Sequence, residues 1–317
     1  MRSASTKSAP STAQATSGRR LGFLLAGLVG FCFLPSIALS ERVHNLVVFV
    51  RSDPTWAYVP LVPVVSMYLI HMWRHSIFKR IHHAWKSGIA MCLLGAICFV
   101  LVSVDTSGLT EANRNSLLVF GFVLFWLGGF LIFFGRDSFR VALFPLLFLL
   151  FAVPIPDPPL SHMVSLLQEG SSRSAAWMFQ LMGVPFLKHG FDFVLPGFTI
   201  RVAEECSGIR STIALMICTV LGGRLFLQRP VSRLFLCLIV VPISIVKNGF
   251  RIAFLSTMAI YVSPSFLLGP LHYHGGIFFF MIALIPMFLL FQFLKSRENT
   301  VTVDSSCDGS RESTAIV

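Results

Sequence analysis

Val202-Ala203-Glu204-Glu205-Cys206-Ser207-Gly208-Ile209-Arg210-Ser211 is a polar, partly charged segment that runs straight into a long apolar one, residues 212–227. With the residues just before it, the run makes a stretch from 209 to 227 that is long enough to cross ~30 Å of hydrocarbon as a membrane helix. The junction therefore puts a cysteine where water meets lipid, flanked by two carboxylates, a glycine and an arginine. Burial in lipid accounts for apolar stretches elsewhere in the chain. It does not account for this one.

The rest of the chain supports the membrane reading. Of 317 residues, 55% are hydrophobic and 12% charged, against roughly 25% charged in a soluble domain. The expected fold is an all-α polytopic membrane protein of about eight transmembrane helices. The net charge of +11 falls largely in short loops, as orientation signals do, and so argues for lipid rather than nucleic acid as the partner.

Residues 1–20 carry Arg2, Lys7, Arg19 and Arg20 without an apolar period and read as a disordered cytoplasmic tail. Residues 21–39 form the first span; the alternative is a signal peptide, since Ser36-Ile37-Ala38-Leu39-Ser40 resembles a cleavage site. Residues 56–73 form the second. Residues 74–86 are the most basic loop and mark the cytoplasmic side. Within it His82-His83 has no further ligands in view and reads as solvated rather than metal-binding. Spans follow at 87–104, 117–134 and, shorter, 141–153, ended by Pro154-Ile155-Pro156-Asp157-Pro158-Pro159.

Residues 154–208 are the largest polar excursion, extracytoplasmic by alternation. Leu160, Met163, Val164 and Leu167, then Met178, Leu181 and Met182, recur at helical spacing and suggest an amphipathic helix at the membrane surface. A small β-hairpin comes next: Phe191, Phe193 and Leu195 alternate, Pro196-Gly197 turns the chain, and Phe198, Ile200 and Val202 alternate back. The sixth span is 209–227. The seventh, from about residue 234 to 259, carries Lys247, Asn248 and Arg251 towards its outer end. The last runs from His272 to 294, and residues 295–317 read as a second disordered cytoplasmic tail. The integral-membrane catalytic domain is thus expected over 21–294.

Both termini then lie inside, and Cys206, Arg251 and His272 all fall near the outer leaflet. Of seven cysteines, Cys32, Cys92, Cys98, Cys218 and Cys237 sit in apolar runs and Cys307 in the polar tail. Only Cys206 has polar neighbours at a boundary. A thiol attacks as the thiolate, which a nearby cation or a helix N-terminus favours. Glu204 and Glu205 oppose that, so a cationic partner is needed. His272 could supply it and act as general acid or base. An arginine in an apolar stretch costs at least ~2.5 kcal/mol unpaired, so Arg251 is a functional candidate, for an oxyanion or a carboxylate. Asn248, one turn earlier, could orient it. The bland alternatives are an inert interfacial cysteine, an arginine reaching to headgroups, and an interfacial histidine or half of a metal site with His274.

Three blocks resemble the signatures of the exosortase/archaeosortase family: residues 203–211 around Cys206, Asn248-Gly249-Phe250-Arg251-Ile252, and His272-Tyr273-His274-Gly275-Gly276-Ile277-Phe278-Phe279. Residues 53–63 are similar too, although the family's usual Ser-His-Gly is absent there. The resemblance implies a membrane cysteine transpeptidase that processes exported proteins ending in a short motif, an apolar helix and a basic tail, such as PEP-CTERM. It implies Cys206 as nucleophile, Arg251 as stabiliser of oxyanion or substrate, and His272 as acid or base. His274 is the alternative, because the family's His-x-x-x-Gly fits His272 with Gly276 while His274 stands close by. Asn248, Glu204, Ser207, Gly208, Arg210 and Gly276 are the expected supporting residues; no cofactor and no metal is expected. The implied place is the inner (cytoplasmic) membrane with an extracytoplasmic active site. Two other functions remain open: a plain protease whose thioester is resolved by water, and a transporter or non-catalytic subunit of an envelope polysaccharide system.

Overall fold

In the computed structural model the chain is helical almost throughout and divides into two units, Met1–Asp157 and Pro158–Val317. The structure describes the backbone of residues 12–79, 84–104, 108–263, 266 and 270–312, and side chains within 22–79, 84–104, 108–204, 206–263, 266 and 276–299.

The first unit opens with α1 (Thr12–Ala38), which bends by 91° into α2 (Ser40–Ser52). The Asp53 carboxylate then accepts the Thr55 N–H at 2.8 Å and starts a one-turn 3-10 helix, Pro54–Trp56, that leads into α3 (Leu61–Met72). After the short α4 (Arg74–Ile77) come α5 (Trp85–Ser103) and α6 (Glu111–Val141). These two lie backbone to backbone. A methyl at Gly95 would stand 2.9 Å from the Gly121 carbonyl, and one at Gly88 would stand 2.8 Å from that of Gly128. In lipid, helices gain little from hiding apolar surface, so close approach at small residues is what holds such a pair.

Gly135, with φ 81°, turns the chain sharply near the end of α6. The return passage is α7 (Leu143–Phe148), a 3-10 turn Leu149–Ala152 and an extended proline-rich stretch. The helical part is too short to span a bilayer, which corrects the expectation of a fifth transmembrane helix at 141–153. With its extended tail the passage nevertheless reaches roughly 30 Å. The Asp157 N–H meets the Asn113 side-chain oxygen at 2.8 Å, back at the first turn of α6.

In the second unit α8 (Pro159–Leu181) precedes a three-stranded antiparallel sheet, β1 (Leu187–His189), β2 (Asp192–Leu195) and β3 (Phe198–Arg201), in that spatial order. The hairpin expected about Pro196-Gly197 is β2–β3, with Val194 opposite Thr199; β1 is an additional strand. A one-turn 3-10 helix, Glu204–Cys206, leads to α9 (Ile209–Phe226), α10 (Pro230–Leu238), α11 (Val240–Tyr261) and α12 (Pro270–Glu312).

The amphipathic face of α8 is spent on protein contact. Leu167, Ser171, Ala175 and Phe179 are buried, and the helix runs parallel to α11. A methyl at Gly170 would meet Ile245 at 2.8 Å, and one at Gly249 would meet the Ala175 nitrogen at 3.0 Å. α8 is therefore half of a helix pair, not a lone surface helix. Beyond it Phe179, Val184, Phe193, Leu195, Val202 and Ala253 close a core that fixes the sheet against α11.

Six helical segments among the described residues are long and apolar enough to cross a membrane, and seven if the bent α1–α2 pair is one span. The return passage is not among them. α1 begins at Thr12 and α12 continues to Glu312, so each enters a stretch expected as a tail.

Candidate functional site

Every feature of the site is local to the second unit. The extended strand β3 ends at Arg201, and the Ala203 N–H turns back to the Arg201 carbonyl at 3.0 Å. The Cys206 N–H then donates to Ala203 and the Ser207 N–H to Glu204, both at 3.0 Å. Gly208 caps α9 in the left-handed region, at φ 84°. The cysteine is thus held on a tight turn directly before a helix N-terminus.

Asn248 of α11 fixes that turn. Its Nδ2 donates to the Cys206 carbonyl at 2.7 Å and to the Ser171 hydroxyl of α8 at 3.0 Å. Asn248 is 1% exposed. Gly208 lies against the same side chain: a methyl there would stand 3.0 Å from the Asn248 Cγ. The turn needs a glycine for two reasons at once, its backbone conformation and its closeness to the asparagine.

Further bonds secure the flanks. Gln168 of α8 donates to the Val202 carbonyl at 2.6 Å. The Gly208 carbonyl accepts from the Thr212 N–H at 3.0 Å and from the Ser211 and Thr212 hydroxyls at 2.9 Å each. The buried Lys247 donates to the Ser211 hydroxyl. The Ser207 hydroxyl, also buried, accepts the Ile209 N–H at 3.4 Å.

Cys206, Asn248 and Arg251 together line a cavity of about 290 Å³. Residues Thr199, Ile200, Arg201 and Val202 contribute to its lining, as do Ile252, Leu255 and Ser256 of α11. The half-buried guanidinium of Arg251 is within electrostatic range of the Cys206 thiol. Arg210 is close enough to act on Arg251 as well, from an exposed position. A nucleophilic atom and a fixed cation on one cavity is an arrangement suited to attack on a carbonyl and to charge developing on its oxygen.

Of the sequence-derived residues, the structure gathers Cys206, Ser207, Gly208, Asn248 and Arg251. Glu204 is exposed at the rim of the turn, and the Glu205 side chain lies outside the described residues. The backbone of His272 and His274 is helical, in the first turns of α12, and their side chains lie outside the described residues. Gly276 is half-buried with open space around its Cα. The His82-His83 pair also lies outside them. Among the described residues no three of His, Cys, Asp and Glu gather as a metal site would require.

Lys247, Ser171, Gln168 and Ser211 were not singled out by the sequence. For Lys247 the signal was present, an ionisable residue in an apolar span, which is the same reason Arg251 stood out. Ser171 and Gln168 gave none, since polar side chains on an amphipathic helix read as its solvated face.

A family model described as transmembrane exosortase matches residues 50–289. The matched region contains the cysteine turn, α11 and the start of α12. No curated protein and no solved structure matches the chain.

Proposed function

The chain belongs to the transmembrane exosortase family, and on that premise we propose that it is a membrane-embedded cysteine transpeptidase. Its substrates are exported proteins that end in a short motif, an apolar helix and a basic tail, as PEP-CTERM signals do. The observation that carries the reading is the single cavity lined by Cys206, Asn248 and Arg251, beside a turn that Asn248 holds.

In the proposed reaction the Cys206 thiolate attacks the scissile carbonyl carbon. A C–S bond forms and the carbonyl oxygen takes up charge, which the Arg251 guanidinium stabilises as a planar, permanently charged donor. The C–N bond then breaks. The departing amine takes a proton from the imidazolium of His272, or of His274 in its place, and a thioester remains on Cys206. An incoming amine, or water in a plain hydrolysis, attacks the thioester and gives its proton back to the imidazole. Asn248 serves by keeping the Cys206 backbone in place.

The basic residues of 228–233, at the end of α9 and α11 away from Cys206, support an extracytoplasmic position for this site at the inner membrane. The deciding experiment replaces Cys206 by Ser and by Ala in cells that export tailed proteins. Both variants should insert normally and accumulate unprocessed substrate, and the native protein should yield a Cys206-linked acyl adduct by mass spectrometry. Normal processing by both variants would remove the cysteine mechanism and leave the transporter or subunit reading ahead.

A further inference from the structure

β3 lies at one edge of the sheet, with β2 on its inner side. The ladder tells which of its backbone groups face outward. The Val202 N–H donates to the Phe191 carbonyl at 3.0 Å, and Phe198 opposite Leu195 closes the two-residue turn. Residues 198, 200 and 202 therefore bond towards β2, and by strand alternation Thr199 and Arg201 point their N–H and C=O away from it. The Arg201 carbonyl is taken by Ala203. The outer edge thus offers a donor, an acceptor and a second donor: the Thr199 N–H, the Thr199 carbonyl and the Arg201 N–H.

That edge borders the catalytic cavity. Successive side chains of a strand project to opposite faces, yet Thr199, Ile200, Arg201 and Val202 all line the same space. Four consecutive residues share one cavity when it runs along the strand's edge. The α11 wall brings Asn248, Arg251 and Ser256 to the cavity beside the apolar Ile252 and Leu255, a lining of mixed polarity as a peptide segment is.

We propose that the substrate binds as a fourth strand along the outer edge of β3, so that an extended peptide segment passes through the cavity to Cys206. Its inner edge pairs with Thr199 and Arg201, and its outer edge faces the α11 wall of the cavity. Pairing must stop at Arg201, where the chain folds back on itself, and five residues later it reaches the nucleophile. Recognition would then rest mainly on the peptide backbone, with Ile252 and Leu255 leaving room for an apolar side chain. The proposal rests on the peptidase reading above and specifies how its substrate is held.

The test uses cells lacking the protein and complemented with variants, in which the C-termini of tailed exported proteins are followed by mass spectrometry. Thr199→Pro removes one outward donor and leaves the bonds to β2 intact, since proline is tolerated on an edge strand. It should slow processing roughly ten-fold, the scale of one lost hydrogen bond, while iodoacetamide still labels Cys206 at the native rate. Lys188→Pro makes the same change on β1, at the far edge of the sheet, and should leave processing unchanged.

A photo-crosslinking amino acid at position 199, in a Cys206→Ala background, should capture the segment just before the substrate's apolar helix. The same probe at position 188 should not. If Thr199→Pro fails to accumulate, the crosslink decides alone. Native processing by Thr199→Pro, or no tailed protein captured at 199, overturns the added strand while Cys206→Ala remains inactive. Normal processing by Cys206→Ala would instead overturn the peptidase reading itself.

Discussion

Asn248 donates a hydrogen bond of 2.7 Å to the carbonyl oxygen of Cys206, forty-two residues away in the chain. The same amide group reaches Ser171 on α8, so a single buried side chain joins α8, α11 and the cysteine turn. Replacing it tests whether the turn or the thiol alone sustains activity. Asn248→Ala strands the Cys206 carbonyl and the Ser171 hydroxyl, at roughly 1–3 kcal/mol for each group left buried and unpaired. The melting temperature should fall, and processing should fall further than loss of folded protein explains. Asn248→Asp, which offers only acceptors to a carbonyl, should be at least as damaging. Processing at native rate by folded Asn248→Ala would assign the asparagine to stability only.

Gly208 faces the same asparagine from the other side. Any side chain there meets two costs: a left-handed backbone of about 1–2 kcal/mol and a methyl 3.0 Å from the Asn248 Cγ. Gly208→Ala should therefore displace the turn, and its signature is an altered rate of Cys206 alkylation in a protein that still reaches the membrane. A native alkylation rate in folded Gly208→Ala would mean that the turn does not position the thiol.

A third contact lies at the opposite end of the unit. The Glu298 carboxylate accepts the Gln228 N–H at 2.7 Å and the Arg229 N–H at 3.1 Å. It thereby caps the start of α10 and fastens α12 to the bend between α9 and α10. Glu298→Ala should lower the melting temperature in detergent by a few degrees with processing per folded molecule unchanged. A loss of processing at full stability would reveal coupling between that bend and the cysteine.

These contacts mark where the sequence was legible and where it was not. Cys206, Asn248 and Arg251 stand out because polar residues in or beside an apolar run demand a reason, and the structure puts them on one cavity. The β2–β3 hairpin is legible from alternation about Pro196-Gly197. β1 is not, since Leu187, Lys188 and His189 are too few to alternate and two of them are polar. The pairing of α8 with α11 was missed because an amphipathic helix next to lipid has two places to bury its apolar face. Only the close approaches at Gly170 and Gly249 show that protein was chosen. The passage after α6 read as a helical span because its apolar length was counted, whereas the prolines make its last part extended.

The final prediction separates the two accounts of Arg251. As an interfacial residue it would only carry its charge towards lipid headgroups, and Arg251→Lys would do that equally well. On the cavity wall with Cys206 its planar fork has a geometric task that an ammonium cannot perform. Arg251→Lys should accumulate normally in the membrane and retain Cys206 alkylation, yet lose on the order of a hundred-fold in processing rate, the usual scale for removing one stabiliser of an oxyanion. Arg251→Ala should lose at least as much. The loss should appear in the turnover rate more than in the substrate level needed for half-maximal processing, because the charge it meets develops only as the bond forms. If Arg251→Lys processes tailed substrates at the native rate, the arginine holds no oxyanion and its task is that of a membrane anchor.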